Sequence, residues 1–158
     1  MRTKNYKTMI AISIFALLLC IVGIVWIVAQ SYYINMTSDT GCIWHEDLYP
    51  IQLVIFFGRL IFKSLFYLLI MVFLFKQQRA IKNGVLFPRA NVKVLYGMAF
   101  SYLIGNHCSD NIQSVLFIEN YASFVINADT LLYTALLIVF AFMYKVAVNV
   151  SEENNLTI

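Results

Sequence analysis

Arg59 and Lys63 stand four residues apart inside an otherwise apolar run from Ile51 to Phe75, so on a helix they share one face. A cation at mid-bilayer costs about 2.5 to 3.5 kcal/mol on insertion scales, so both are expected to find partners. The candidate partners are Asp110, Glu119 and Asp129, with His107 as a group able to exchange a proton. That cluster is the chemistry of a site for an ion, a proton or a small anion. The alternative reading is a salt-bridged clamp joining the second apolar run to the later ones, with Arg59 snorkelling outward.

Other reactive residue types are sparse. Cys42 and Cys108 are expected on or near one outer side of a membrane, where they are candidates for a disulfide or remain two separate thiols. Cys20 reads as a small buried apolar residue. His45 beside Glu46 and Asp47 is a weak grouping of metal-ligand types that reads better as solvated loop. No CxxC pair, GxSxG, HExxH or Walker sequence occurs, so no metal, no cofactor and no enzyme activity are expected. Direct nucleic-acid binding is also not expected, because no soluble basic domain is present to hold it.

The elements that must position these residues follow from composition. Of the 158 residues 61% are hydrophobic and 12% charged, and mean hydropathy is +0.78. A soluble chain is roughly 45 to 50% apolar and about 25% charged. Two prolines and six glycines suit long uninterrupted helices. The expected fold is all-α: one integral membrane domain over residues 1–158, a four-helix bundle with spans at about 9–29, 51–75, 94–115 and 131–150.

The first span, Met9 to Ala29, carries no charge. A cleaved signal peptide is the rival reading, because Arg2, Lys4 and Lys7 precede it, but the apolar run exceeds the ~7 to 15 residues usual for such a segment. The second run continues as helix through Lys76, Arg79 and Lys82 to an Asn83-Gly84 stop. In the third, the polar residues Asn106, His107, Ser109, Asp110, Asn111 and Gln113 interrupt the apolar pattern. Paired backbone groups favour a continuous helix there, with a re-entrant hairpin as the alternative. Asp129 and Thr130 are expected to cap the last helix.

Orientation comes from Lys and Arg, which concentrate in short cytoplasmic loops. They gather at the N-terminus and in the basic loop 76–93, whereas outer loops 30–50 and 116–130 have none. Both termini are therefore expected inside. With Lys76 at the inner boundary, Lys63 lies ~20 Å and Arg59 ~25 Å above it, in the outer half.

The basic loop reads Gly84-Val85-Leu86-Phe87-Pro88-Arg89-Ala90-Asn91-Val92-Lys93, and the chain closes Glu152-Glu153-Asn154-Asn155-Leu156-Thr157-Ile158. These stretches resemble the bacterial membrane proteins grouped as domain of unknown function 2975. In that family a glycine and a phenylalanine precede Glu-Asn-Val-Arg, and the tail is Glu-Glu-Asn-Asp-Leu-Thr-Val. Ala90 and Asn155 depart from that pattern by lacking its acids. The resemblance implies a four-span fold in a bacterial cytoplasmic membrane, no assigned activity, and a small helix-turn-helix regulator as partner.

Two functions follow as expectations. The first is a non-enzymatic sensor or regulator meeting a cytoplasmic partner or membrane lipid through Arg79, Lys82, Phe87, Arg89, Asn91, Lys93, Glu152, Glu153, Leu156 and Thr157. The second is a small transporter or channel component using Arg59, Lys63, His107 and Asp110, which with so few helices would have to form a homo-oligomer.

Overall fold

The computed structural model describes residues 2–36, 47–116 and 124–156. Among them are four helices and no strand: α1 (Arg2–Met36), α2 (Tyr49–Lys82), α3 (Ala90–Leu116) and α4 (Ala128–Leu156). Ile10–Tyr32 of α1, Tyr49–Lys82 of α2 and Ala128–Glu153 of α4 are long and apolar enough to cross a membrane. Their apolar side chains also face outward, among them Phe15, Leu18, Val22 and Val25 on α1 and Leu132, Leu136, Phe140 and Met143 on α4. Such broad exposed apolar faces mark a surface made for lipid. The chain is an integral membrane protein.

Each helix runs past its apolar core. α2 has 34 residues, about 51 Å at 1.5 Å per residue, well beyond the ~30 Å hydrocarbon layer. Pro50 sits in its first turn, where a missing N–H costs nothing. At its far end Gly84 takes φ +79°. The Gly84 N–H donates to the Ile81 carbonyl at 3.0 Å and the Val85 N–H to Ala80 at 2.9 Å, the bond pair of a Schellman stop. Only residues 83–89 separate α2 from α3, so much of the basic segment 76–93 is helical.

The polar cluster of α3 stays within one continuous helix rather than forming a re-entrant hairpin. Its buried side follows a heptad: Asn91, Val94, Met98, Ser101, Gly105, Cys108 and Val115 are all buried, with Ile112 half-buried. α4 begins at Ala128, and its capping oxygen differs from expectation. The Asp129 N–H donates to Asn127 Oδ1 at 2.9 Å, so Asn127 caps the helix and Asp129 lies inside the first turn.

Helix contacts follow chain order, α1 on α2, α2 on α3 and α3 on α4. A core of Val94, Leu95, Met98, Ala141, Tyr144 and Val148 lies toward the α2–α3 loop, with Phe66, Leu69, Ile70 and Phe73 of α2 packed against it. There α2, α3 and α4 form a three-helix unit. α1 is laid against α2 through Gly23, where a Cβ would come within 2.7 Å of the Tyr67 ring. Small residues permit such close approach where lipid gives no hydrophobic drive to helix pairing.

Candidate functional site in the membrane

The antiparallel α2–α3 pair is held at both ends by amides. At the end away from the loop, Gln52 Nε2 donates to the Val115 carbonyl at 3.0 Å. At the loop end, Asn91 Nδ2 donates to Gln77 Oε1 at 3.0 Å, and the Tyr144 hydroxyl donates to the same oxygen at 2.8 Å. Between these pins Gly58 faces the Cys108 thiol, and Gly105 faces the backbone of Phe62 and Lys63. The close glycine contacts set α2 in a definite rotation, which turns Arg59 toward α1 and lays Lys63 against Gly105 of α3, so that both line the space between the three helices.

Arg59 is only 5% exposed. Its Nη1 donates to Ser31 Oγ at 3.1 Å and its Nη2 to Gln30 Oε1 at 2.5 Å, both on α1. These partners are neutral. Neither Arg59 nor Lys63 forms an ion pair with an acid among the described residues. Among the described residues Arg59 is thus held by neutral groups of α1 and not by Asp110 or Asp129, and its side chain is buried.

Both cations line a cavity of about 390 Å³ between α1, α2 and α3. Gln30, Ser101, Tyr102 and Asn106 add hydrogen-bonding groups, while Leu19, Val22, Trp26, Ile27, Phe66 and Tyr67 make its apolar wall. A guanidinium has five N–H donors and an ammonium three. Two of Arg59's are spent on α1, so the rest, with those of Lys63, are available to an anion.

The remaining acids stand elsewhere. Asp110 Oδ2 accepts from Thr130 Oγ1 at 2.8 Å, tying α3 to the start of α4. His107 is half-buried on α3 and does not line the cavity. Asp129 is exposed. Glu119 lies outside the described residues, as do Cys42, His45 and Glu46. Cys108 is a buried free thiol. No group of three or more metal-ligating side chains occurs among the described residues.

Sequence reasoning passed over Gln30, Ser31, Ser101, Tyr102 and Asn106 as site residues. The available signal was positional: Ser31 lies on the α1 stripe with Ser13, Cys20 and Ile27, and Ser101 on the α3 heptad. It also passed over the role of Asn111. This fully buried amide donates from Nδ2 to the Val125 carbonyl at 2.8 Å and accepts the Val125 N–H at 2.6 Å. One side chain thus stands in for a strand partner at the approach to α4.

At the loop end, Arg79, Lys82, Arg89 and Lys93 are exposed, as are Phe87, Glu152 and Glu153. Arg89 Nη2 meets Glu152 Oε2 at 3.7 Å, and Phe87 stacks edge-on against Tyr144 at 5.6 Å. Loop and tail therefore form one surface. Asn91, expected on that surface, is instead fully buried because its amide is used to pin α2. The Leu156 side chain and Thr157 lie outside the described residues. No protein family, curated protein or solved structure matches this chain.

Proposed function

We propose that this chain is a non-enzymatic sensor or regulator of the bacterial cytoplasmic membrane, with four spans and both termini inside. In this reading its sensing site is the cavity of Arg59 and Lys63, and its output surface is the joined loop and tail. One observation carries the sensing half: Arg59, buried inside an apolar protein, is bonded among the described residues to neutral partners. A charge kept in the membrane with no counter-charge among the described residues supports a functional site, because such a charge is costly in lipid. Two cations and no carboxylate of the described residues line the cavity, so the site favours an anionic group.

The topology rests on the gathering of Lys76, Arg79, Lys82, Arg89 and Lys93 at one end of the protein, while 30–50 and 116–130 have no Lys or Arg. At 27 residues α3 is about 40 Å long, enough to span despite its polar cluster. The resemblance to the domain of unknown function 2975 family rests on the loop and tail alone, and these are the segments joined by Arg89 and Glu152. A helix-turn-helix regulator is the partner proposed for that surface.

The test is thermal stability of the purified protein in neutral detergent against a panel of anions, both water-soluble and amphiphilic. Ligand at a hundredfold excess over Kd should add about 2.7 kcal/mol. The gain should vanish in Arg59→Gln and Lys63→Gln. If no anion stabilises the protein through these residues, the sensing site is wrongly placed. Capture of a soluble regulator that is lost on replacing Phe87 and Arg89 would support the output surface, and capture unaffected by them would refute it.

A further inference from the structure

We infer that the cavity takes an anionic glycerophospholipid of the surrounding bilayer, its phosphate at Arg59 and Lys63 and one acyl chain along α1. This rests on the anion-binding reading above and names the source of the anion. Three features lead to it.

The first is polarity along the cavity. Gln30 pairs with Arg59 and Gly23 with Tyr67, so α1 and α2 run antiparallel in a definite register. Gln30, Arg59, Lys63 and Asn106 therefore gather toward one end, and Gly23, Val22, Leu19, Phe66 and Tyr67 toward the other. A small soluble anion needs only the first group. An amphiphile uses both.

The second is length and depth. From Gln30 to Leu19 the wall extends about 16 Å at 1.5 Å per residue, close to the ~15 Å of one leaflet's hydrocarbon. With the inner boundary at Lys76, Arg59 lies ~25 Å above it, within ~5 Å of the outer edge of a 30 Å hydrocarbon layer. The phosphate of a bulk lipid lies just outside that layer, so an outer-leaflet lipid held here is drawn inward by about 5 Å or more to meet the two cations.

The third is access. Leu19, Val22 and Trp26 line the cavity and are also exposed on the outer face of α1. The cavity is thus open sideways to lipid. A diacyl lipid can slide in from the bilayer with one chain, leaving the second among bulk lipid.

Trp26 supplies the probe. The protein has two tryptophans, and Trp44→Phe leaves Trp26 alone. This protein would be placed in bilayers of unlabelled neutral lipid doped with brominated phosphatidylglycerol or brominated phosphatidylcholine, and quenching followed with dose. The expected result is a preference for the anionic lipid of about thirtyfold at Trp26, from two cations near the membrane surface. The preference should disappear in Arg59→Gln with Lys63→Gln, while quenching by the neutral lipid stays unchanged, showing that the protein is folded and inserted. A reporter on the far side of α4, Phe140→Trp with Trp26→Phe and Trp44→Phe, should show no such preference with the cations intact. Equal quenching by both lipids at Trp26 overturns the inference. So does loss of the preference on adding glycerophosphate that itself stabilises the protein through Arg59; in that case the anion site stands and its ligand is soluble. If neither lipid nor any soluble anion responds to Arg59 and Lys63, both the inference and the reading beneath it fall.

Discussion

A Cβ on Gly105 would lie 2.8 Å from the backbone nitrogen of Lys63 and 3.0 Å from its Cγ. α2 and α3 come close at the residue that carries a charge into the cavity, so packing and site share a contact. Backbone cannot rotate away as a side chain can. Gly105→Ala should therefore cost about 1 to 3 kcal/mol and Gly105→Leu more, measured by unfolding in detergent. An unchanged stability for Gly105→Leu would show that the two helices are not so closely packed.

Arg59 is different, since its charge has no counter-charge among the described residues. Arg59→Gln keeps a hydrogen-bonding group near Ser31 and removes a buried cation. In neutral detergent and without anion its stability should rise by about 1 to 2 kcal/mol. A fall of similar size would mean that the guanidinium's bonds to Gln30 and Ser31 are chiefly structural.

Asn111 satisfies both backbone groups of Val125. Asn111→Ala leaves them to find water or remain unpaired, at about 1 to 3 kcal/mol. Hydrogen exchange at the Val125 amide should accelerate in this variant while exchange in α2 is unaltered. Equal acceleration throughout would instead indicate global loss of structure.

Gln77 Oε1 accepts from both Asn91 and Tyr144. Tyr144→Phe should cost about 0.5 to 1.5 kcal/mol. Because the two donors share an acceptor, a double-mutant cycle with Asn91→Ala should give a coupling of at least about 0.5 kcal/mol. Additivity would place the two bonds in separate networks.

Gly84 is the residue with positive φ among the described residues. Gly84→Ala should cost about 1 kcal/mol, and Gly84→Asn less, because asparagine tolerates the left-handed region. The surface ion pair Arg89–Glu152 should matter little by comparison. Arg89 is 73% exposed at its side chain, and exposed pairs contribute about 0 to 1 kcal/mol.

Much of the architecture was legible in the sequence because membrane burial acts on each segment separately. Apolar length marked three of the helices, the Asn83-Gly84 stop fixed the end of α2, and the need to pair backbone groups kept the polar cluster of α3 helical. The helix ends were less legible. The extension of α1 and α4 beyond their apolar cores depends on hydrogen bonding rather than hydropathy, and Asn127 outcompeted Asp129 as cap through its position one residue before the helix.

The candidate site divides along the same line. From sequence alone Arg59 and Lys63 must share a face, because helical periodicity is local, and their cost in lipid requires that they find partners. Which groups meet them is a matter of how helices far apart in the chain are rotated and paired. Glycine contacts at Gly23 and Gly105 set those rotations, bringing Gln30 and Ser31 to Arg59 and leaving Asp110 bonded to Thr130. At the loop end the meeting of α2, α3 and α4 buried Asn91 and brought Arg89 to Glu152. Residue types determined that charges enter the membrane; close packing at residues without side chains decided what surrounds them.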